Sequence, residues 1–131
     1  MADEFVFAGR HDRTLGSGGT FTLPDEWRPG IAGGRVFYVL PDTGERCLDL
    51  LPGAVMERDL AAIRARARFG AEDLKALKAI AEATYRIVAD DECRVEIPRR
   101  LREAMGMGGE VTLAGSVRMI KIRAKRASET V

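Results

Sequence analysis

The chain has 131 residues, of which 46% are hydrophobic and 31% charged, and its 21 basic and 20 acidic side chains leave a formal net charge of +1. A chain of this length can bury one ordinary hydrophobic core, and its composition excludes a disordered or fibrous protein. The apolar runs are far shorter than a membrane span and the acidic start lacks the features of an export signal, so we expect a cytoplasmic protein.

The sequence offers little of the chemistry that enzymes use. Its single histidine, His11, has no serine or cysteine nucleophile beside it, and no Walker or dinucleotide-binding signature is present. Cys47 and Cys93 lie far apart without further metal ligands at a suitable spacing, which favours buried thiols over a zinc site. We therefore expect neither an enzyme with a small-molecule substrate nor a bound metal or cofactor.

The first predicted elements surround a glycine-rich stretch. Residues 16–19, Gly-Ser-Gly-Gly, lack the lysine of a phosphate-binding loop, which favours a plain hairpin loop between two extended segments. Alternation at Phe21 and Leu23 predicts a strand with one buried face. Pro24 ends this strand and starts a helix, which Pro29 is expected to stop almost at once.

A strand pair and a helical spacer come next. After a glycine pair, strands are predicted at 36–40 and 47–51, joined by the turn-rich residues 41–44. Residues 56–84 then carry apolar side chains at helical spacing, which predicts two helices separated by Gly70. The stripe residues are Met56, Leu60, Ile63 and Ala67 in the first helix and Leu74, Leu77, Ala81 and Thr84 in the second.

An internal repeat follows the spacer. Residues 20–28 and 94–102 share one order of residue types at an offset of 74: an apolar-polar-apolar strand, proline, two charged residues, a large apolar residue and arginine. Residues 33–37, Gly-Gly-Arg-Val-Phe, and residues 108–112, Gly-Gly-Glu-Val-Thr, continue the match at an offset of 75. In the second copy, Gly106 is placed to end the helix in the left-handed conformation, and strands at 111–114 and 118–122 are predicted around a Gly115-Ser116 turn.

Two such copies joined by a helical spacer resemble the MraZ family of bacterial transcription regulators. The resemblance includes Asp90-Asp91-Glu92-Cys93-Arg94-Val95-Glu96-Ile97-Pro98 and runs from about residue 7 to about residue 126. It implies an α+β fold of two tandem AbrB/SpoVT-like swapped-hairpin β-barrel halves related by pseudo-twofold symmetry. The halves would cover residues 5–55 and 85–126, with a helical pair at 56–84 between them and a disordered tail at 127–131.

The resemblance also implies a DNA-binding motif, Asp-x-x-x-Arg, in each half. The second half keeps Asp90 and Arg94, with Cys93 at the usual glycine, whereas the first half has Gly16 and Thr20 in the two motif positions. An aspartate so placed can accept loop amide hydrogen bonds and hold the arginine outward, where the guanidinium can grip a phosphate or read guanine. From these two residues alone an ordinary surface ion pair is the simpler interpretation, but the resemblance favours a DNA contact.

Four more arginines are candidate DNA contacts. Arg99 and Arg100 add positive charge just after the motif. Arg10 and Arg13 flank the first-half loop and could partly replace the missing arginine, although as plain surface residues they need no such role. Trp27 occupies an apolar position of the repeat, which favours a core residue over a base-stacking platform.

The resemblance implies a sequence-specific double-stranded DNA-binding transcriptional regulator of the division and cell-wall gene cluster. Such a protein binds promoter repeats on the nucleoid and assembles into a ring-like homo-oligomer, in which avidity multiplies weak contacts. The alternative is an oligomeric scaffold or protein-interaction module derived from this family with weakened DNA binding. The half-missing motif favours it, as does the charge distribution, since residues 1–55 carry a net charge of −3 and residues 85–131 carry +3.

Overall fold

The computed structural model of the protein describes residues 5–31, 34–42, 44–67, 75, 78, 79 and 81–125. The strands are β1 (Arg10–Thr14), β2 (Thr20–Thr22), β3 (Val36–Asp42), β4 (Cys47–Pro52), β5 (Tyr85–Val88), β6 (Arg94–Glu96), β7 (Glu110–Ser116) and β8 (Met119–Ala124). The helices are a 3₁₀ helix (Asp25–Ile31), α1 (Gly53–Ala67) and α2 (Arg99–Ala104). The fold is of the α+β class that the sequence predicts, and all of these strand pairs are antiparallel.

The strands of the two halves interleave. Six of them form one sheet in the order β1-β7-β8-β4-β3-β5, and β2 and β6 form a separate two-stranded ribbon. Each strand of the first half has a counterpart four places later in the chain, such as β1 and β5. When every strand is exchanged for its counterpart, both sheets have the same order read from the opposite edge. Each edge strand of the large sheet pairs with a strand from the other half, β1 with β7 and β5 with β3. The two halves therefore share both sheets.

The pairing register follows the sequence repeat. In the ribbon, Phe21 lies opposite Val95, its counterpart at the offset of 74. Burial on the large sheet matches at the same offset, because Phe37 and Val39 are buried like Val111 and Leu113. A shift of one residue would place these side chains on the opposite face. The predicted match of residues 33–37 with residues 108–112 at an offset of 75 is therefore wrong within the strands, where the offset is 74.

The core lies between the large sheet, the ribbon and the short helices. Trp27 is 1% exposed, and its Nε1 donates a hydrogen bond to the Ala8 carbonyl at 2.9 Å, which confirms its predicted place in the core. Burying each large apolar side chain contributes about 1.5–3 kcal/mol. The largest fully buried side chains belong to both halves: Trp27, Phe37, Leu23, Leu48, Leu50, Ile97, Leu113, Ile120, Ile122, Val39, Val95 and Val111.

A charged pair lies where the two halves meet at the centre of the large sheet. Asp49 on β4 is directly opposite Lys121 on β8, and Lys121 Nζ is 2.9 Å from Asp49 Oδ1. Because side chains alternate along a strand, this pair lies on the face opposite the buried Leu48 and Leu50. Lys121 Nζ also lies 2.7 Å from Glu45 Oε2.

Two proline predictions and one turn prediction differ from the structure. The 3₁₀ helix continues through Pro29, because the fixed φ of proline suits 3₁₀ backbone geometry. β3 includes Pro41, opposite Leu48, at a point where β5 no longer pairs with β3 and a missing N–H is tolerated.

The predicted turn at Gly115 and Ser116 lies one residue further on. β7 extends to Ser116, and the turn falls at Val117, which has a φ of 65°. Gly115 serves a close approach instead, since its N–H donates to the Gly9 carbonyl at 2.8 Å.

The helical predictions are met in part. α1 begins at Gly53, three residues before the predicted Met56, which is buried. Residues 75, 78, 79 and 81–83 are also helical. Gly106 has a φ of 64° just after α2, as predicted. Gly70, Leu74, Leu77 and the tail 127–131 lie outside the described residues. No helix in the described part of the chain is long and apolar enough to cross a membrane.

Candidate nucleic-acid interface

Two equivalent loops lead into the ribbon. The first loop (residues 15–19) joins β1 to β2, and the second loop (residues 89–93) joins β5 to β6. Because β2 and β6 are antiparallel, the loops lie at opposite ends of the ribbon. Both loops have the same two backbone hydrogen bonds. In the first loop, Gly16 N–H donates to Thr20 O at 2.8 Å and Gly19 N–H donates to Gly16 O at 2.9 Å. In the second loop, Asp90 N–H donates to Arg94 O and Cys93 N–H donates to Asp90 O, both at 3.0 Å.

The first loop is not the predicted hairpin loop. The strands on either side of it pair with the other half of the chain, β1 with β7 and β2 with β6. The local residue types predict a loop between two extended segments, and the structure has such a loop between β1 and β2. The partners of those segments are distant in sequence, so a local pattern does not identify them.

The last residue of each loop has left-handed backbone. Gly19 has a φ of 82° and Cys93 a φ of 62°. Glycine adopts this region readily, whereas a side chain there brings strain. Cys93 therefore takes a position that favours glycine, and it is half-buried rather than buried as predicted. Cys47, in contrast, is completely buried, as predicted.

Asp90 organises the second loop. Its Oδ1 accepts the backbone N–H groups of Glu92 at 2.9 Å and Arg94 at 2.8 Å, and its Oδ2 accepts Arg94 Nε at 2.7 Å. These hydrogen bonds, those from Arg94 first, hold the pKa of the Asp90 carboxyl below its usual 3.8. The Arg94 side chain remains 54% exposed. Its Nη2 lies 3.7 Å from a Glu92 carboxylate oxygen, so the outer edge of the guanidinium faces solvent and is not tightly bound.

The ribbon presents a polar outer face beside Arg94. Its central residues, Phe21 and Val95, are buried in the core, so the residues before and after them point outward. An open groove of about 320 Å³ crosses this region and is lined by Thr20, Val88, Asp90, Arg94, Val95 and Glu96. The major groove of B-DNA, roughly 12 Å wide, admits a two-stranded β-ribbon.

Arg13 lies close to the second loop. Its Nε donates to the Thr22 carbonyl at 2.9 Å, and Thr22 is directly opposite Arg94 in the ribbon. Arg10 is on the same strand, but the alternation of side chains turns it to the other face of β1. There it lines a hollow with Asp12, Thr112 and Lys125. The structure therefore brings Arg13 near Arg94 and separates Arg10 from both.

Arg99 and Arg100 lie at the other end of the ribbon. They begin α2, which follows β6, so they are nearer to the first loop than Arg94 is. Arg99 Nε forms an ion pair with Glu103 at 2.8 Å. Both side chains are exposed.

Two further arginines, both at the second loop, were missed at the level of sequence. At the second loop, Arg28 Nη2 donates to the Glu92 carbonyl at 3.5 Å, and Arg35 forms an ion pair with Asp91. Both line a hollow of about 450 Å³ beside Cys93. At the first loop, Arg102 Nε donates to the Ile97 carbonyl at 3.0 Å. The signal that could have found Arg28 is the arginine that ends both copies of the repeat.

The three side chains Asp42, Glu45 and Cys47 lie close enough together to suggest a metal site. Lys121 already supplies positive charge there, because its Nζ is 2.7 Å from Glu45 and 3.6 Å from Asp42. Burial acts to lower the pKa of Lys121, but the hydrogen bonds to Glu45 and Asp49 raise it overall. Burial, followed by the charge of Asp49, raises the pKa of the Cys47 thiol to about 11.

No family model matches the chain, and no curated protein matches it.

Proposed function

We propose that the protein is a sequence-specific double-stranded DNA-binding transcriptional regulator of the MraZ type and not an enzyme. The observation that carries the proposal is the Asp90–Arg94 pair, in which an exposed guanidinium is held at the end of a two-stranded ribbon. We also propose that the two halves are AbrB-like swapped-hairpin units. The exchange of strands between halves and the equivalent backbone hydrogen bonds of the two loops support this assignment.

In the proposed complex, the outer face of the ribbon enters the major groove. Asp90 engages Arg94 through Nε, and the Nη groups, one of which lies 3.7 Å from a Glu92 carboxylate oxygen, donate to guanine O6 and N7. Because the hydrogen bonds of Asp90 fix the side chain before binding, less conformational entropy is lost on contact with the base. Arg13, Arg28 and Arg35, near the same loop, would contact the phosphates that position the ribbon.

The partners proposed are promoter repeats upstream of the division and cell-wall gene cluster and further copies of the chain in a ring. A ring presents several equivalent ribbons to successive repeats, and linkage between sites raises the overall affinity without new contacts. The second candidate is an oligomeric scaffold with weakened DNA binding. Gly16 and Thr20 favour it, because the first loop has no counterpart of the Asp90–Arg94 pair.

Binding of Arg94→Ala to the DNA upstream of its own gene tests the proposal. One lost bidentate contact is worth about 1–3 kcal/mol, so we expect the affinity for this DNA to fall by about tenfold or more and its preference over unrelated DNA to shrink. The matched control is Arg123→Ala, which removes an arginine from the face of the large sheet that is turned away from the ribbon.

Affinity is measured at several salt concentrations, and unfolding curves verify that each variant folds. Specific, salt-dependent binding that is weakened in Arg94→Ala and retained in Arg123→Ala supports the regulator. Unchanged affinity in folded Arg94→Ala would show that Arg94 is not a DNA contact. Failure of the wild-type oligomer to bind would favour the scaffold.

A further inference from the structure

Glu96 lies on the outer face of the ribbon at the end opposite the second loop. It follows Arg94 by two residues in β6 and pairs with Thr20, the position at which the first half lacks its arginine. Glu96 Oε1 lies 3.1 Å from the place that a Cβ on Gly18 would occupy, so the carboxylate is beside the first loop. One groove is therefore lined by the paired Arg94 and Asp90 at one end of the ribbon and by Glu96 at the other.

The Glu96 carboxylate has no hydrogen-bond or ion-pair partner among the residues that the structure describes. The acidic residues of the second loop differ, since Asp90 binds Arg94 and Asp91 binds Arg35. Arg102 is close to the same loop, but its Nε donates to the Ile97 carbonyl instead. A free carboxylate is stable in water but needs a donor once a ligand excludes the water.

The base edges in the major groove differ in what they offer a carboxylate. Guanine presents two acceptors and thymine presents an acceptor and a methyl group, so both disfavour it. Adenine has a donor at N6 beside an acceptor at N7, whereas the exposed edge of cytosine offers the N4 amino donor alone. Cytosine is thus the base that an unpartnered glutamate accepts best.

We propose that Glu96 is a second base-reading residue, which accepts a hydrogen bond from a cytosine N4 amino group; this inference rests on the proposed DNA binding. Residues two apart in a strand are separated by about 6.8 Å, which corresponds to roughly two base-pair steps of 3.4 Å. The ribbon therefore reads a guanine through Arg94 and a cytosine about two base pairs away through Glu96. A carboxylate also repels phosphates, so Glu96 adds selectivity rather than general affinity.

Selection of bound duplexes from a randomised pool tests this reading. The wild type should select a cytosine about two base pairs from the selected guanine. Glu96→Gln should lose this preference by about tenfold and shift it towards adenine, because an amide matches adenine N6 and N7. Its affinity for unrelated DNA should rise, because a negative charge near the phosphates is removed. The control is Glu110→Gln, an equal change of charge at the exposed start of β7, which should keep the wild-type preference.

A second measurement tests the hydrogen bond itself. In the selected duplex, the cytosine is replaced by 2-pyrimidinone, which lacks the N4 amino group. The wild type should lose about tenfold in affinity, whereas Glu96→Gln should lose little. If the wild type selects a defined sequence and Glu96→Gln selects the same base at every position, the role of Glu96 is overturned while DNA binding by the protein stands. A wild type that selects no sequence overturns both proposals.

Discussion

Among single residues, Asp90 fixes the conformation of the second loop and of the Arg94 side chain through its three hydrogen bonds. Exposed ion pairs contribute little to stability, so the salt bridge to Arg94 alone would not fix the guanidinium. The additional hydrogen bonds from the backbone N–H groups of Glu92 and Arg94 hold the carboxylate itself in one orientation. The loop therefore positions the aspartate, and the aspartate positions the arginine.

The contribution of Asp90 to stability depends on its ionisation. Because the folded-state pKa lies below 3.8, the contribution is present above that value and is lost as the pH falls through the lower folded-state pKa. We expect Asp90→Asn to have a lower free energy of unfolding than the wild type near neutral pH, and the difference to shrink below pH 3.8. Urea unfolding at a series of pH values measures this difference. A difference that stays constant down to the most acidic folded sample would contradict the ionic role of Asp90.

The elements show which part of the structure could be predicted from sequence. Alternating apolar residues and Pro24 or Pro98 are local signals, so the strand-proline-helix unit and its repetition were correctly predicted. The partner of a strand is not a local property, and nothing in residues 10–14 indicates that they pair with residues 110–114. Asp90 and Arg94 are only four residues apart, so the sequence predicts that they lie together. It does not predict that Arg28 lies near them, because Arg28 reaches the second loop from the other half of the chain.

At the level of loops, the structure permits the missing motif to be installed in the first half. A Cβ on Gly16 would come within 2.9 Å of Thr20 Oγ1, an atom that Thr20→Arg removes. The double change Gly16→Asp with Thr20→Arg should therefore fold, tighten DNA binding and increase the salt slope by about one for each new phosphate contact. Thr20→Arg alone should give less, because the new guanidinium would have no aspartate at position 16 to orient it.

Titration of the double variant against DNA at several salt concentrations measures both effects. If affinity and salt slope equal those of the wild type while fold and assembly persist, the first loop does not face DNA. Such a result would favour a protein-contact role for this loop and would support the scaffold.

On the scale of the whole molecule, exposed apolar side chains are consistent with self-association. Val6 and Val117 are 56% and 59% exposed, and the backbone bridge between Phe7 and Val117 brings them to one region of the surface. We expect a ring-like homo-oligomer in solution, which light scattering coupled to size exclusion measures directly. A monodisperse monomer at micromolar concentration would exclude the ring and the avidity that depends on it.

The pairing of Asp49 with Lys121 determines which halves can combine. If two second halves from separate chains met at the same place in a sheet, Lys121 would lie opposite Arg123, the counterpart of Asp49 at the offset of 74, and two first halves would place Asp49 opposite Cys47, the counterpart of Lys121. Like charges directly opposite on neighbouring strands are destabilising. A first half therefore completes its sheet best with a second half, whether from its own chain or from another. Chains that exchange halves would keep this ion pair, whereas a dimer of identical halves would lose it.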